Sequence, residues 1–240
     1  LREYHLDNPS DYFVDYCRRY TDMPMLVQLE QTDKGLAAGR FLRASDLDGN
    51  LGEDNNPDWK TLAYDEAGGD LVAPRGTIGY RWGEDGKWNL EEKAGKDGKD
   101  VKLRLSLLDS RDAVSEVAFP YFGNIEHEHF QHTDHEDVLM RKVPTRTVKL
   151  ADGSEARVAT VYDLMMAHYG LDRGLDDPNV ASSYDEDLPY TPAWQERITS
   201  VPRADVIQVA REFAENAHKT HGKSMVILGA GLNHWYHMDH

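Results

Sequence analysis

The stretch that most constrains the fold is the apolar run Met225-Val226-Ile227-Leu228, opened by Ser224 and closed by the turn Gly229-Ala230-Gly231. A short run without a polar break suits a strand covered on both faces in a parallel sheet. The helix that should cover it is written just upstream. Pro202 opens that helix, and Val206, Val209, Ala210, Phe213, Ala214 and Ala217 make one apolar stripe along it. Lys219, His221 and Gly222 then give a basic last turn and a glycine stop. Helix, buried strand and glycine turn are half of an αβα layered unit. In open α/β sheets ligands gather beyond the carboxyl ends of strands, so Gly229, Ala230, Gly231, Leu232, Asn233, His234 and Trp235 are the candidate binding residues. Glycines there would let backbone amides approach a phosphate or a flat heterocycle. The same spacing also suits a bare strand-to-helix turn, because Gly-x-Gly lacks the third glycine of the dinucleotide fingerprint.

Composition narrows the partners. With 43 acidic against 27 basic residues the net charge is −16, which argues against nucleic acid. The chain has 240 residues, 40% of them hydrophobic, enough for one or two packed domains. It contains no apolar run near the roughly 18 residues that suggest a membrane span, and its start does not resemble a signal peptide, so a soluble chain is expected. Cys17 is the single cysteine, which excludes an internal disulfide and a cysteine-built metal cluster within these residues. The sequence opens without Met and stops inside the promising motif, so the expectation is a piece of a longer polypeptide.

Upstream, three segments are expected: an α/β region over 1–45, a β-rich, loop-heavy insertion over 46–147, and a second α/β region over 148–240. Residues 7–22 read as a helix, with Asn8, Pro9, Ser10 and Asp11 as its start and Tyr12, Phe13, Tyr16 and Tyr20 at helical spacing. Residues 23–29 are apolar and extended, and 39–43 are their expected hairpin partner. In the insertion, 101–107 alternate at period two like a half-buried strand. Asp85-Gly86 and Asp97-Gly98 are hairpin-type turns, and 93–102 are expected to be a mobile loop. His127, His129, His132 and His135 share a short stretch with four carboxylates, but without rigid i, i+4 spacing they read as a solvated loop and not as a metal site. A hairpin around Asp152-Gly153 leads into a helix over 160–169 closed by Gly170, with Leu164, Met165 and His168 on or beside its apolar face. His168 reads as a packed or surface residue. An acidic connection over 171–189 leads to Thr191 and Pro192, an N-cap and first position of a helix whose inner face holds Trp194 and Ile198.

The segment Tyr190-Thr191-Pro192-Ala193-Trp194, with Ile198, Val201-Pro202 and Arg211-Glu212-Phe213-Ala214, is similar to a stretch of the molybdopterin oxidoreductases that leads into a pterin-contacting glycine turn. Residues 11–22 resemble a helix of the same family. Residues 20–29, 78–90 and 229–237 closely resemble the α subunits of the respiratory, membrane-bound nitrate reductases, and the resemblance thins only at 93–100 and 124–137.

The resemblance implies an α/β chain of the dimethyl sulfoxide reductase-like fold and reduction of nitrate to nitrite by oxygen-atom transfer. It implies bis-molybdopterin guanine dinucleotide as cofactor, with a 4Fe-4S cluster upstream of these residues. It further implies an iron–sulfur β subunit and a haem b membrane subunit as partners, at the cytoplasmic face of the membrane. No catalytic residue and no metal ligand is expected within the chain itself. Two other readings stay open: a selenate or chlorate reductase of the same family, and a non-catalytic module that docks a partner subunit.

Overall fold

The computed structural model describes residues 1–48, 51, 58, 60–76, 92–95, 97–121 and 138–234. The features expected at 78–90, at Asp85-Gly86, at 127–135 and at Trp235 lie outside the described residues. At the centre is a closed five-stranded barrel of β1 (Leu26–Thr32), β2 (Gly35–Phe41), β7 (Ala113–Pro120), β8 (Val138–Lys149) and β9 (Glu155–Thr160), in that order around the ring. Only the β2–β7 contact is parallel. The remaining small strands, β3 (Ala63–Tyr64) with β4 (Leu71–Val72) and β5 (Lys93–Ala94) with β6 (Lys99–Asp100), form two separate hairpins. The barrel thus draws strands from all three segments marked out by sequence, and its two longest strands, β7 and nearly all of β8, fall in the expected insertion.

β1 explains why its first four residues are all apolar or neutral and all buried. Val27 and Leu29 join Val117, Phe119, Val143 and Ala159 in one cluster, which Leu164 and Ala167 of the helix α2 (Val161–His168) complete. Leu26 points to the other face, where Leu42, Leu62, Tyr64, Leu107, Val148 and Val158 form a second cluster. Both faces of β1 are therefore covered, and a continuous apolar run is what such a strand needs. The β8–β9 hairpin turns at Asp152 and Gly153 as expected, and Ser154 N–H donates to Asp152 Oδ1 at 2.9 Å.

Three expected elements come out differently. The helix read over 7–22 is α1 (Asp11–Tyr20), preceded by a separate π-helical turn over Arg2–Asp7. Pro9 lacks an N–H and keeps its predecessor out of helical geometry, so the two cannot fuse. Ser10 stands at the N-cap but its hydroxyl bonds His218 Nδ1 at 2.7 Å instead of a backbone amide. The run 101–107 does alternate, with Val101, Leu103, Leu105 and Leu107 buried, yet it joins no ladder beyond one bridge between Asp65 and Leu103. Its side chains follow the period-two pattern without a neighbouring strand. The stretch expected as a mobile loop carries the β5–β6 hairpin, turning at Gly98 with a φ of +61°.

α2 begins as its sequence dictates. Thr160 Oγ1 accepts from Asp163 N–H at 3.0 Å, and Gly170 closes the helix with a φ of +66°. Two further helices, α3 (Pro192–Thr199) and α4 (Arg203–Thr220), form an arm beside the barrel. Thr191 Oγ1 caps α3 by accepting from Trp194 N–H at 3.1 Å. Ile198, expected on the inner face of α3, is exposed. Among the described residues no helix is long and apolar enough to cross a membrane.

Candidate functional site

The glycine turn forms at the end of the arm. Ala230–Asn233 make a single helical turn, α5, and His234 N–H donates to Ala230 O at 3.1 Å. A methyl group built on Gly229 or Gly231 would meet nothing within 4 Å, so this turn faces open space. His234 is exposed. The structure therefore brings Gly229, Ala230, Gly231, Leu232, Asn233 and His234 into one compact turn, with no opposing wall among the described residues.

The run before the turn departs from expectation. Met225, Val226, Ile227 and Leu228 are 63–80% exposed and belong to no strand. The physical reason lies in the barrel. A closed barrel has no free edge, so the described sheet cannot accept another strand. The stripe on α4 shares this fate: Ala217 is buried, but Val209 is 65% exposed and Phe213 is exposed too. An apolar helix face and an apolar extended segment thus stand side by side without a partner, a pattern that marks an interaction surface.

The arm is fixed to the rest by polar and aromatic contacts. Arg211 pairs with Glu3 at 2.6 Å, and the Tyr184 hydroxyl donates to Glu3 Oε1 at 2.9 Å. Burial and that same carboxylate push the Tyr184 phenol up to about 12. Ser10 meets His218, whose ring also lies 6.4 Å from that of Phe13, and Tyr12 meets the His221 ring at 5.6 Å. Where the arm joins the barrel, His168 stacks between Phe119 at 5.3 Å and Tyr169 at 5.4 Å. Its Nε2 lies 3.0 Å from the Tyr190 hydroxyl. His168 is thus packed, as its sequence context suggested.

Sequence reasoning did not single out Arg141 or Asp163. Arg141 is 1% exposed, opposite Val117 in the β7–β8 register, and its Nε and Nη2 have no hydrogen-bond partner among the described residues. It sits in an otherwise ordinary strand, and period-two reading alone carries no signal for a buried cation. Asp163 is fully buried and accepts from Ser106 Oγ, Leu107 N–H and Arg173 Nη1, each at 2.7 Å. It ties α2 to the distant segment at Ser106 and Leu107 and to Arg173 in the connection that follows the helix. Among the described residues no group of three or more His, Cys, Asp or Glu side chains is placed to hold a metal ion. Two cavities, of about 640 Å³ beside Tyr64 and Arg146 and about 260 Å³ beside Tyr4 and Tyr184, are not lined by the glycine turn.

Comparison with known proteins then places the chain. It is 61% identical over 239 residues to the respiratory nitrate reductase 1 alpha chain of Escherichia coli (strain K12), a match covering 100% of this chain. The chain belongs to the nitrate reductase alpha chains. It is also 44% identical over 230 residues to the respiratory nitrate reductase alpha chain of Bradyrhizobium sp, and 39% over 239 residues to the nitrate reductase alpha chain of Bacillus subtilis (strain 168). No family model matches the chain. The chain spans about 19% of the Escherichia coli relative's length. Nitrate reductase alpha chains are thus the proteins that 20–29, 78–90 and 229–237 resembled, and the whole described barrel falls inside the matched stretch. The Escherichia coli relative is thus several times longer than the barrel and arm together.

Proposed function

We propose that this chain is part of the catalytic subunit of a respiratory nitrate reductase, which reduces nitrate to nitrite with bis-molybdopterin guanine dinucleotide. The observation that carries this reading is the match of 61% identity through the full length of the chain to a respiratory nitrate reductase alpha chain. The complete protein would receive electrons from an iron–sulfur β subunit and a haem b membrane subunit, at the cytoplasmic face of the membrane. Its 4Fe-4S cluster and molybdenum ligands would come from residues outside this chain. When bound, the molybdenum group supplies removal of an oxygen atom from nitrate; two electrons and two protons leave nitrite and water as products.

The role of this chain is to bind and orient. The exposure of 225–228 and of Val209 and Phe213 supports a parallel strand over 224–228, completed by a sheet outside these residues and covered on one face by α4, as in a dimethyl sulfoxide reductase-like fold. The glycine turn would then stand at the carboxyl end of that strand. Open space over Gly229 and Gly231 fits the approach of a flat polar ring to the backbone. A pterin edge offers donors and acceptors; the amide of Asn233 can serve both, and the imidazole of His234 one of each when neutral. Leu232 and Trp235 belong to the same proposed contact.

The experiment is His234→Ala in the complete enzyme, read by molybdenum content, potentiometric titration of the molybdenum signal and nitrate reduction. One neutral hydrogen bond is worth roughly 0.5–1.5 kcal/mol. Favouring one redox state by that much moves a potential by tens of millivolts, since about 59 mV is tenfold for one electron. Full molybdenum content with a moved potential and slower turnover is expected. Full content with unchanged potential and rate would remove His234 from the site.

A further inference from the structure

We propose that His168, Arg141 and Tyr190 form a proton-sensitive catch that fixes the joint between the barrel and the α3–α4 arm and loosens in acid. The catch stands whatever the glycine turn binds.

Three observations meet at this joint. Tyr190 holds a φ of +73°, in the left-handed region that a bulky aromatic residue rarely adopts. It immediately precedes Thr191, the cap of α3, so its backbone sets the direction in which the arm leaves. A residue in such a conformation persists only when its surroundings over-determine it. The surroundings here are the His168 ring, edge-to-face with Tyr190 at 5.0 Å and within 3.0 Å of its hydroxyl. Tyr169 packs edge-to-face at 5.7 Å and the Trp194 ring lies tilted against it at 5.3 Å, while Pro120 O lies 3.4 Å from the hydroxyl.

The charges around His168 decide what a proton does. From β8, Arg141 presents a buried guanidinium whose Nε and Nη2 have no partner among the described residues. From the joint and from α2's own end come only the phenols of Tyr190 and Tyr169, and Tyr121 lies close enough to act on both Arg141 and Tyr190. Asp177 is the carboxylate that acts on Arg141, but it accepts from Lys142 N–H at 2.7 Å and Asn179 N–H at 2.9 Å. Among the described residues no carboxylate pairs with His168. Among the described residues a protonated imidazole would thus be a second cation beside a buried one, without an anion to balance it.

Burial first, and then Arg141, lower the affinity of His168 for a proton below that of an ordinary histidine. A group whose proton affinity is depressed in the closed state favours closure above its ordinary pKa, near 6.5, and that contribution is lost as pH falls below it. In acid the ring leaves its stack, Tyr190 relaxes out of the left-handed region, and the Thr191 cap loosens.

The test is amide hydrogen exchange in the complete protein, as protection factors for 190–195, at about pH 7.5 and about pH 5.5, either side of the ordinary histidine pKa. A several-fold loss of protection in acid is expected. His168→Phe keeps a ring between Phe119 and Tyr169 and cannot be protonated, so its protection should not change with pH. Arg141→Met removes the neighbouring cation, so protonation of His168 is better tolerated and the acid loss of protection should be smaller than in the natural protein. Equal protection at both pH values in the natural protein, the same loss in His168→Phe, or an undiminished loss in Arg141→Met would each overturn the proposal.

Discussion

Replacing Asp163 with Ala is the sharpest test of how the barrel holds its loops. The carboxylate is fully buried and serves three donors: the Ser106 hydroxyl, the Leu107 amide and Arg173. Arg173 is itself nearly enclosed, pairing with Asp163 at 2.7 Å and donating through Nη2 to Ser106 Oγ at 2.6 Å. Ala at this position leaves a buried guanidinium and a buried amide without their acceptor. Breaking a buried ion pair by removing one partner costs about 3–5 kcal/mol. At about 2–4 °C per kcal/mol for a chain of this size, the melting temperature should fall by roughly 6–20 °C. Thermal unfolding of the 240-residue chain, followed by near-ultraviolet circular dichroism, measures it. The double replacement Asp163→Leu with Arg173→Met removes both charges and should recover most of the loss, since a well-packed apolar pair can replace a buried ion pair at little cost. A single replacement that lowers the melting temperature by less than about 3 °C would refute the reasoning, because it would correspond to little more than about 1 kcal/mol.

Other expected outcomes follow from single features. Gly170→Ala forces a side chain into a φ of +66° and sets a methyl 3.1 Å from Arg141 Nη2, so it should cost at least about 1–2 kcal/mol in a urea titration. Burial pushes the Tyr162 phenol up to about 12, so the stability it contributes is complete below its ordinary pKa near 10 and is lost as pH rises from there to about 12; Tyr162→Phe should flatten that alkaline loss in a pH series of melting temperatures. Ile227→Lys should change the stability of the 240-residue chain by no more than about 0.5 kcal/mol, because the side chain is already solvated. In the complete subunit the same change should sharply reduce folded yield on gel filtration, because the strand is then covered.

Local signals survived well in the sequence. The Thr191 cap, the helix beginning at Thr160, the Asp152-Gly153 hairpin, and the pairing of β1 with β2 all depend on neighbours close along the chain. The ring closure did not show, because β2 meets β7 through Leu36–Val117 and Ala37–Ala118, residues far apart in sequence that carry no mutual mark. Treating 46–147 as a separate texture hid that connection. The alternation at 101–107 predicted burial correctly but not a ladder: side-chain periodicity reports which face is covered, not what the backbone bonds to. The candidate turn was legible as a local motif in Gly229 and Gly231. The covering expected for 225–228 does not form among the described residues, because the closed barrel offers no free edge for that run to join.

The central claim, that this chain is part of a nitrate-reducing catalytic subunit, is tested most directly by turnover in the complete purified enzyme. With a reduced viologen as electron donor and molybdenum content measured alongside, nitrite should form at one per two electrons consumed, and nitrate should be used with a higher kcat/KM than chlorate or selenate. A fully molybdenum-loaded enzyme that forms no nitrite, or that prefers either of the other oxyanions, would contradict the account.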